Sequence, residues 1–112
     1  MLPKKFRLTK QTDFKNIFKK GSKSFGKFFS IRYLANNLDN CRFAVVVSNK
    51  VSKKAVVRNR LRRQIRSILN DNLSKFSQKN DIIINILTSS VDSNYKTLEK
   101  ELLNILKNNK LI

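Results

Sequence analysis

The spacing of apolar residues along the chain switches between the helical intervals of three and four and the strand interval of two, and each switch marks an element. Phe14, Ile17 and Phe18 share one side of a segment that starts with Thr12 and Asp13 and stops at Gly21, which predicts a short capped helix. Residues 22–26, SKSFG, read as a turn or a short edge strand. Residues 27–35 set Phe29, Ile31 and Tyr33 against Ser30 and Arg32, the alternation of a half-buried strand. After an Asn/Asp-rich turn at residues 36–40, a second strand at 41–48 points Phe43, Val45 and Val47 one way. Arg42, Ala44, Val46 and Ser48 point the other. The two strands are expected to pair as an antiparallel hairpin.

Val57, Leu61, Ile65, Ile68 and Leu69 return to helical spacing and predict a long helix from about Lys54 to Phe76. Residues 77–81, SQKND, break it. The run from Ile82 to Leu87 is almost wholly apolar, as in a central strand buried on both faces. Residues 90–94 are expected to cap a closing helix whose stripe is Tyr95, Leu98, Leu102, Ile105 and Leu106. The order α-β-β-α-β-α, with room for a short extra strand near residue 24, predicts an α+β fold. Its form is a two-layer α/β sandwich with helices on a mixed sheet.

At 112 residues the chain has length for one core and one domain. Its charge alters the picture more than its size does. The formal net charge is +18, and residues 1–70 hold 19 basic and 2 acidic side chains against 6 and 5 in residues 71–112. Such asymmetry predicts a polyanion-binding surface on a more neutral scaffold. Lys4, Lys5, Arg7 and Lys10 make residues 1–10 a basic arm that is either mobile or in specific contact. There is one Cys and no His, which removes disulfides, imidazole acid–base chemistry and the usual zinc sets. Cys41, inside a strand pattern, reads as a small buried apolar residue of a reducing compartment. With no apolar run long enough for a membrane span and no signal-peptide core, the expected location is the cytoplasm.

The candidate chemistry is concentrated between Lys53 and Arg66, KKAVVRNRLRRQIR, where fourteen residues carry seven cations and no acid. On a helix, Asn59, Arg62, Arg63 and Arg66 cluster opposite the apolar stripe, and Arg60 lies at its rim. Like charges at 58/62 and 62/66 repel, whereas an ordinary solvated face interleaves acids. Uncompensated guanidinium groups point to an external phosphate partner, which their forked donors match. Lys53 and Lys54 add charge at the helix start, where the dipole prefers acid. The seven acids, Asp13, Asp39, Asp71, Asp81, Asp92, Glu99 and Glu101, are scattered. No nuclease constellation of clustered carboxylates or His is visible.

The run Val47-Ser48-Asn49-Lys50, followed by Ala55-Val56-Val57-Arg58-Asn59-Arg60-Leu61-Arg62-Arg63-Gln64-Ile65-Arg66, resembles the signature of the protein subunit of bacterial ribonuclease P. The likeness extends to the basic start, the helix carrying Asp13-Phe14 and Phe18, and the order of later elements. It implies an unusual left-handed β-α-β crossover at the signature helix, where sequence alone would give the right-handed one. It also implies a subunit that binds a catalytic RNA and the 5′ leader of precursor tRNA while the RNA cuts the leader off. Lys53, Lys54, Arg58, Asn59, Arg60, Arg62, Arg63 and Arg66 match the RNA-binding positions. Magnesium is then expected mainly on the RNA, with Asn59 near it and no metal site or catalytic residue in the protein itself.

Phe14, Phe18, Arg32, Arg42, Ala44, Val46 and Ser48 match a cleft for the leader. Without the resemblance, Phe14 and Phe18 read equally well as core. Arg32 stands where the family commonly has an aromatic, and Asn49 where it has a Lys. Two rival readings are a small ribosomal or other structural RNA-binding protein and a helix-turn-helix DNA module. The second lacks a partner helix just upstream of the arginine helix, so DNA is not an expected partner.

Overall fold

The computed structural model describes residues 2–76 and 79–112. Its main elements are α1 (Gln11–Lys20), β1 (Ser22–Phe25), β2 (Phe29–Ala35), β3 (Arg42–Val46), α2 (Ala55–Asp71), β4 (Asn80–Ile86) and α3 (Tyr95–Asn108). Short 3-10 turns lie at Lys4–Phe6, Leu73–Lys75 and Thr88–Ser90. Of the predicted break at 77–81, Ser77 and Gln78 lie outside the described residues.

The expected hairpin does not form. The sheet order is β1-β2-β4-β3, so β4 lies between the two strands expected to pair. It runs antiparallel to β2, with Ile31 opposite Ile84, and parallel to β3, with Val45 opposite Ile84. The physical cause is the apolar run itself. Every residue of β4 except Asn85 is buried, and such a strand needs neighbours on both edges and cover on both faces.

Period-two alternation then sorts the two faces. Phe29, Ile31, Phe43, Val47, Ile82, Ile84 and Ile86 pack with Leu61, Ile65, Ile68 and Leu69 of α2 and with Leu98, Leu102, Ile105 and Leu106 of α3. On the other face, Ile83 meets Ile17 of α1 and Leu8, with Phe14, Leu34 and Ala44 around them. Helix α1 thus covers the side of the sheet away from the main core. Residues 2–10, which the sequence leaves open as a mobile arm, are docked. Leu2 and Leu8 are buried, and the Leu8 N–H donates to the Phe43 carbonyl at 2.8 Å across the edge of β3.

Two helix ends differ from expectation. Helix α2 stops at Asp71, five residues early, because the buried Asn72 leaves helical geometry and its Nδ2 donates back to the Ile68 carbonyl at 2.7 Å. Leu73 and Phe76 continue the apolar spacing but reach the core from outside the helix. Helix α1 begins at Gln11 without a side-chain cap, rather than on Thr12 and Asp13. Its end at Gly21 is extended, with φ −76° and ψ 161°, so no left-handed cap requires this glycine. Space does: a Cβ there would lie 2.5 Å from the Ile17 carbonyl oxygen and 2.8 Å from that of Tyr33. Helix α3 does carry its cap, the Asn94 side chain accepting from the Thr97 N–H at 2.8 Å.

Gly21→Ala is expected to cost about 1–3 kcal/mol in urea denaturation, because both obstructing atoms are backbone and α1 must shift off β2. Gly26→Ala should cost less, since the nearest atom to its Cβ is the mobile Cδ1 of Ile105, at 3.1 Å.

Candidate nucleic-acid interface

Helix α2 buries one stripe and turns its cations outward. Arg58, Arg62 and Arg66 follow at intervals of four, with Asn59 and Arg63 beside them and the exposed Lys53 and Lys54 just before the helix. Several of these side chains are held in place by the protein. Arg58 Nη1 donates to the Ser52 carbonyl at 2.8 Å, Arg62 Nη1 to Asn59 Oδ1 at 2.8 Å, and Arg60 Nη2 to the Val91 carbonyl at 3.1 Å. Each guanidinium has five N–H donors, so a single internal bond aims the fork and leaves most of it available. Arg60 is directed to the α3 side, as its rim position suggested.

Arg66 sits differently. Burial, together with the nearby charges of Arg62 and Arg7, lowers its pKa below the ordinary arginine value. Three guanidinium groups therefore converge without a carboxylate among them. Along the described chain the ion pairs are those of Arg42 alone, which leaves the cations of α2 uncompensated.

Beside this cluster, on the α1 face of the sheet, runs a groove in two lobes. One lobe, 180 Å³, is lined by Arg7, Leu8, Thr9, Phe14, Ala44, Val46 and Arg66 among others. The other, 340 Å³, is lined by Phe18, Lys23, Phe25, Ser30, Arg32, Val46, Ile83, Asn85 and Leu87. Val46 borders both. Arg66 reaches the first lobe around the outer edge of β3.

The two rings of α1 have separate surroundings. Phe14 is half-buried against the Leu8, Ile17 and Ile83 cluster, whereas Phe18 is 53% exposed. Above Phe18 the Arg32 guanidinium lies 4.7 Å from the ring centroid, a cation–π stack. Phe25, 69% exposed, is capped in the same way by Lys23 Nζ at 4.5 Å. Phe18 and Phe25 thus each carry a cation over one face of the ring.

Of the residues assigned to a leader cleft, Phe14, Phe18, Arg32, Ala44 and Val46 come together in the groove. Ser48 lies past the end of β3 and lines neither lobe. Arg42 is held elsewhere. Its Nε and Nη2 clasp Asp81 at 2.9 and 2.6 Å, its Nη1 is 3.2 Å from Asp13, and these carboxylates raise its pKa, the Asp81 hydrogen bonds most of all. Arg42 therefore does not stand open to phosphate.

Sequence reasoning missed Lys23, Phe25, Ser30 and Asn85. The signal for Asn85 was present, a polar residue interrupting an isoleucine run. Its partner Ser30, opposite it in register and 3.3 Å from its Nδ2, needed the β2–β4 pairing. No three His, Cys, Asp or Glu residues gather among the described residues. Cys41 is buried, and burial pushes its thiol pKa up, with the Asp81 charge adding to the rise and a backbone hydrogen bond at Asn80 opposing it.

A family model described as Ribonuclease P matches residues 2–110. The chain belongs to the ribonuclease P protein family. It is 35% identical over 107 residues to the ribonuclease P protein component of Syntrophomonas wolfei, covering 96% of this chain and 89% of that one. With the Fusobacterium nucleatum component it shares 37% over 109 residues, covering 94% and 97%. Among solved structures, the Staphylococcus aureus RNase P protein superposes with a TM-score of 0.86 at 28% identity, covering 95% and 96%. The Thermotoga maritima protein gives 0.83 at 30%, covering 91% and 96%. The family supplies the protein component of an endoribonuclease whose other part is an RNA subunit.

The different burial of the two rings gives a direct expectation. Phe14→Ala should lower stability by about 2 kcal/mol or more through the cavity it leaves beside Ile83, and Phe18→Ala by under about 1 kcal/mol, both read from denaturant midpoints.

Proposed function

We propose that this chain grips the catalytic RNA with the arginine face of α2 and holds the 5′ leader of precursor tRNA in the groove beneath α1. The observation that carries the reading is the groove's construction. Rings from Phe14 and Phe18 form one wall, Arg7 and Arg66 close the near end, and the cations have no carboxylate partners along the described chain except at Arg42. A single strand needs both parts. Its bases stack on aromatic faces at roughly 1–3 kcal/mol each, independent of sequence, and its phosphates follow the positive charge. Ala44 and Val46 on the floor leave room for a backbone to come close.

The two acids that converge in the fold, Asp13 and Asp81, are already engaged by side chains of the protein. Asp81 is filled by Arg42 and by Asn36 Nδ2 at 2.8 Å, and Asp13 is turned to the same arginine. Magnesium accordingly belongs to the RNA in this reading, and Asn59, exposed on α2, is the residue the family signature sets beside it. The ion would supply the activated water and screen phosphate charge. The chain's residues neutralise phosphate, orient the leader and add no acid or base. Among the described residues no helix is long and apolar enough to cross a membrane, and the cytoplasm is the compartment that suits tRNA maturation.

Affinity for RNA is expected to fall steeply with salt. Arg62→Ala or Arg66→Ala should weaken binding and flatten the log–log slope by roughly 0.7 to 0.9, one phosphate contact's worth, in filter-binding titrations. An unchanged slope means that the arginine faces away from the RNA.

Purified protein should cleave no precursor tRNA at any magnesium concentration. Added to the cognate catalytic RNA, it should lower the magnesium needed for leader removal, and the gain should be greater for leader-bearing than for leaderless RNA in binding assays. Phe18→Ala should erode that preference. If wild-type protein binds both RNAs equally, the groove is not the leader site.

A further inference from the structure

We propose that Asp13 is a positioning residue which, through Arg42, sets where α1 rests on the sheet and so fixes the groove wall made by Phe14 and Phe18. The inference rests on the reading of that groove as the leader site. Helix α1 has ten residues, too few to be stable alone in water, and its N-cap, Lys10, makes no side-chain cap. Its Lys15, Lys19 and Lys20 are exposed and add positive charge to a chain of net charge +18 whose ion pairs, along the described residues, centre on Arg42, and that general repulsion works against docking. Apolar contact holds the middle of the helix through the buried Ile17 and the half-buried Phe14 but does not by itself fix how its first turn sits.

Arg32 of β2 meets the later half of α1 by stacking on Phe18, and the sheet's contact with its first turn is Arg42. Asp81 takes two of its nitrogens, at 2.9 and 2.6 Å, and Asp81 is itself held by Asn36 at 2.8 Å. The guanidinium is therefore a fixed post whose remaining Nη1 faces α1. Asp13 meets it at 3.2 Å, with side chains 25% and 19% exposed, sheltered enough that solvent screens the pair less than an open surface bridge. Asp13 lies in the first helical turn, where a carboxylate also suits the helix dipole, and it directly precedes Phe14. One arginine between two carboxylates has its charge taken up, so Arg42 offers none to phosphate. Asp13 touches no RNA and acts through where it holds the rings.

The test uses the full chain assembled with its catalytic RNA and two precursor tRNAs, one with a leader long enough to fill the groove and one with a single leader nucleotide. Asp13→Asn is expected to raise KM for the long-leader substrate about three- to five-fold, the scale of one partly sheltered ion pair. Turnover at saturation and KM for the short-leader substrate should stay within about two-fold, and Asp13→Glu should restore most of the loss. Equal KM increases for both substrates, or an equal defect in the Asn and Glu variants, would overturn the proposal. Phe18→Ala runs alongside. If it separates the substrates and Asp13→Asn does not, the positioning role alone is wrong; if neither separates them, the leader reading of the groove falls and this inference with it.

Discussion

Strand β4 is apolar on both faces, and most of the architecture follows from the need to cover it. Ile82, Ile84 and Ile86 face one way and Ile83 the other, all buried, and each buried isoleucine is worth about 1.5–3 kcal/mol relative to exposure. Edge positions are closed to such a strand, so β2 takes one side and β3 the other. The β3–β4 pair is parallel, which a tight turn cannot connect. The crossover it requires is α2. Burial of β4 thus places the arginine helix over the outer strand, with Arg66 able to reach around the edge.

Cover on the Ile83 side is partial, and the groove is the part left open. A ten-residue helix seats Ile17 and Phe14 over Ile83 and Ala44 but cannot extend over Ser30, Val46 and Asn85. Beyond the helix Val46 stands exposed and Asn85 half-buried over the buried Ser30, while the rings beside them are capped by Arg32 and Lys23. Electrostatics work in the same direction. A chain of net charge +18 whose ion pairs, along the described residues, centre on Arg42 is destabilised by its own repulsion. A bound polyanion removes that strain, so part of the free energy of RNA binding comes from relief within the protein.

Helical periodicity was the readable part of the sequence. The buried stripes of α2 and α3, and the division of β2 and β3 into an inner face with Phe29 and Phe43 and an outer face with Arg32 and Ala44, emerge as the spacing predicts. Pairing was not readable, because the strand that separates β2 from β3 arrives more than thirty residues after β3. Leu73 and Phe76 kept the apolar spacing going past the end of α2, and spacing cannot register that Asn72 turns its amide back on the helix. Gly21 was read from the commonest use of a terminal glycine, whereas its need is clearance from Tyr33 on another element. In the groove, Phe14 and Phe18 looked equivalent on a helix wheel. Only the position of Ile83 distinguishes the anchored ring from the open one.

Arg42 shows why a cation's place on a strand does not establish its role. Its outward position put it in the leader cleft, yet its charge is taken up by carboxylates from positions 13 and 81, which the sequence keeps far apart. The same contact bears on where the chemistry lies. Asp13 and Asp81 converge in the fold, and a converging pair of acids is what a hydrolytic site would need, but both are turned onto one guanidinium and Asp81 is also held by Asn36. Acids committed to holding a helix and a strand in register cannot also carry protons or ions through a reaction cycle without loosening the fold. In the proposed assembly the protein therefore contributes a shaped field of cations and rings, and Asp13 and Asp81 serve that shape rather than the bond-breaking step.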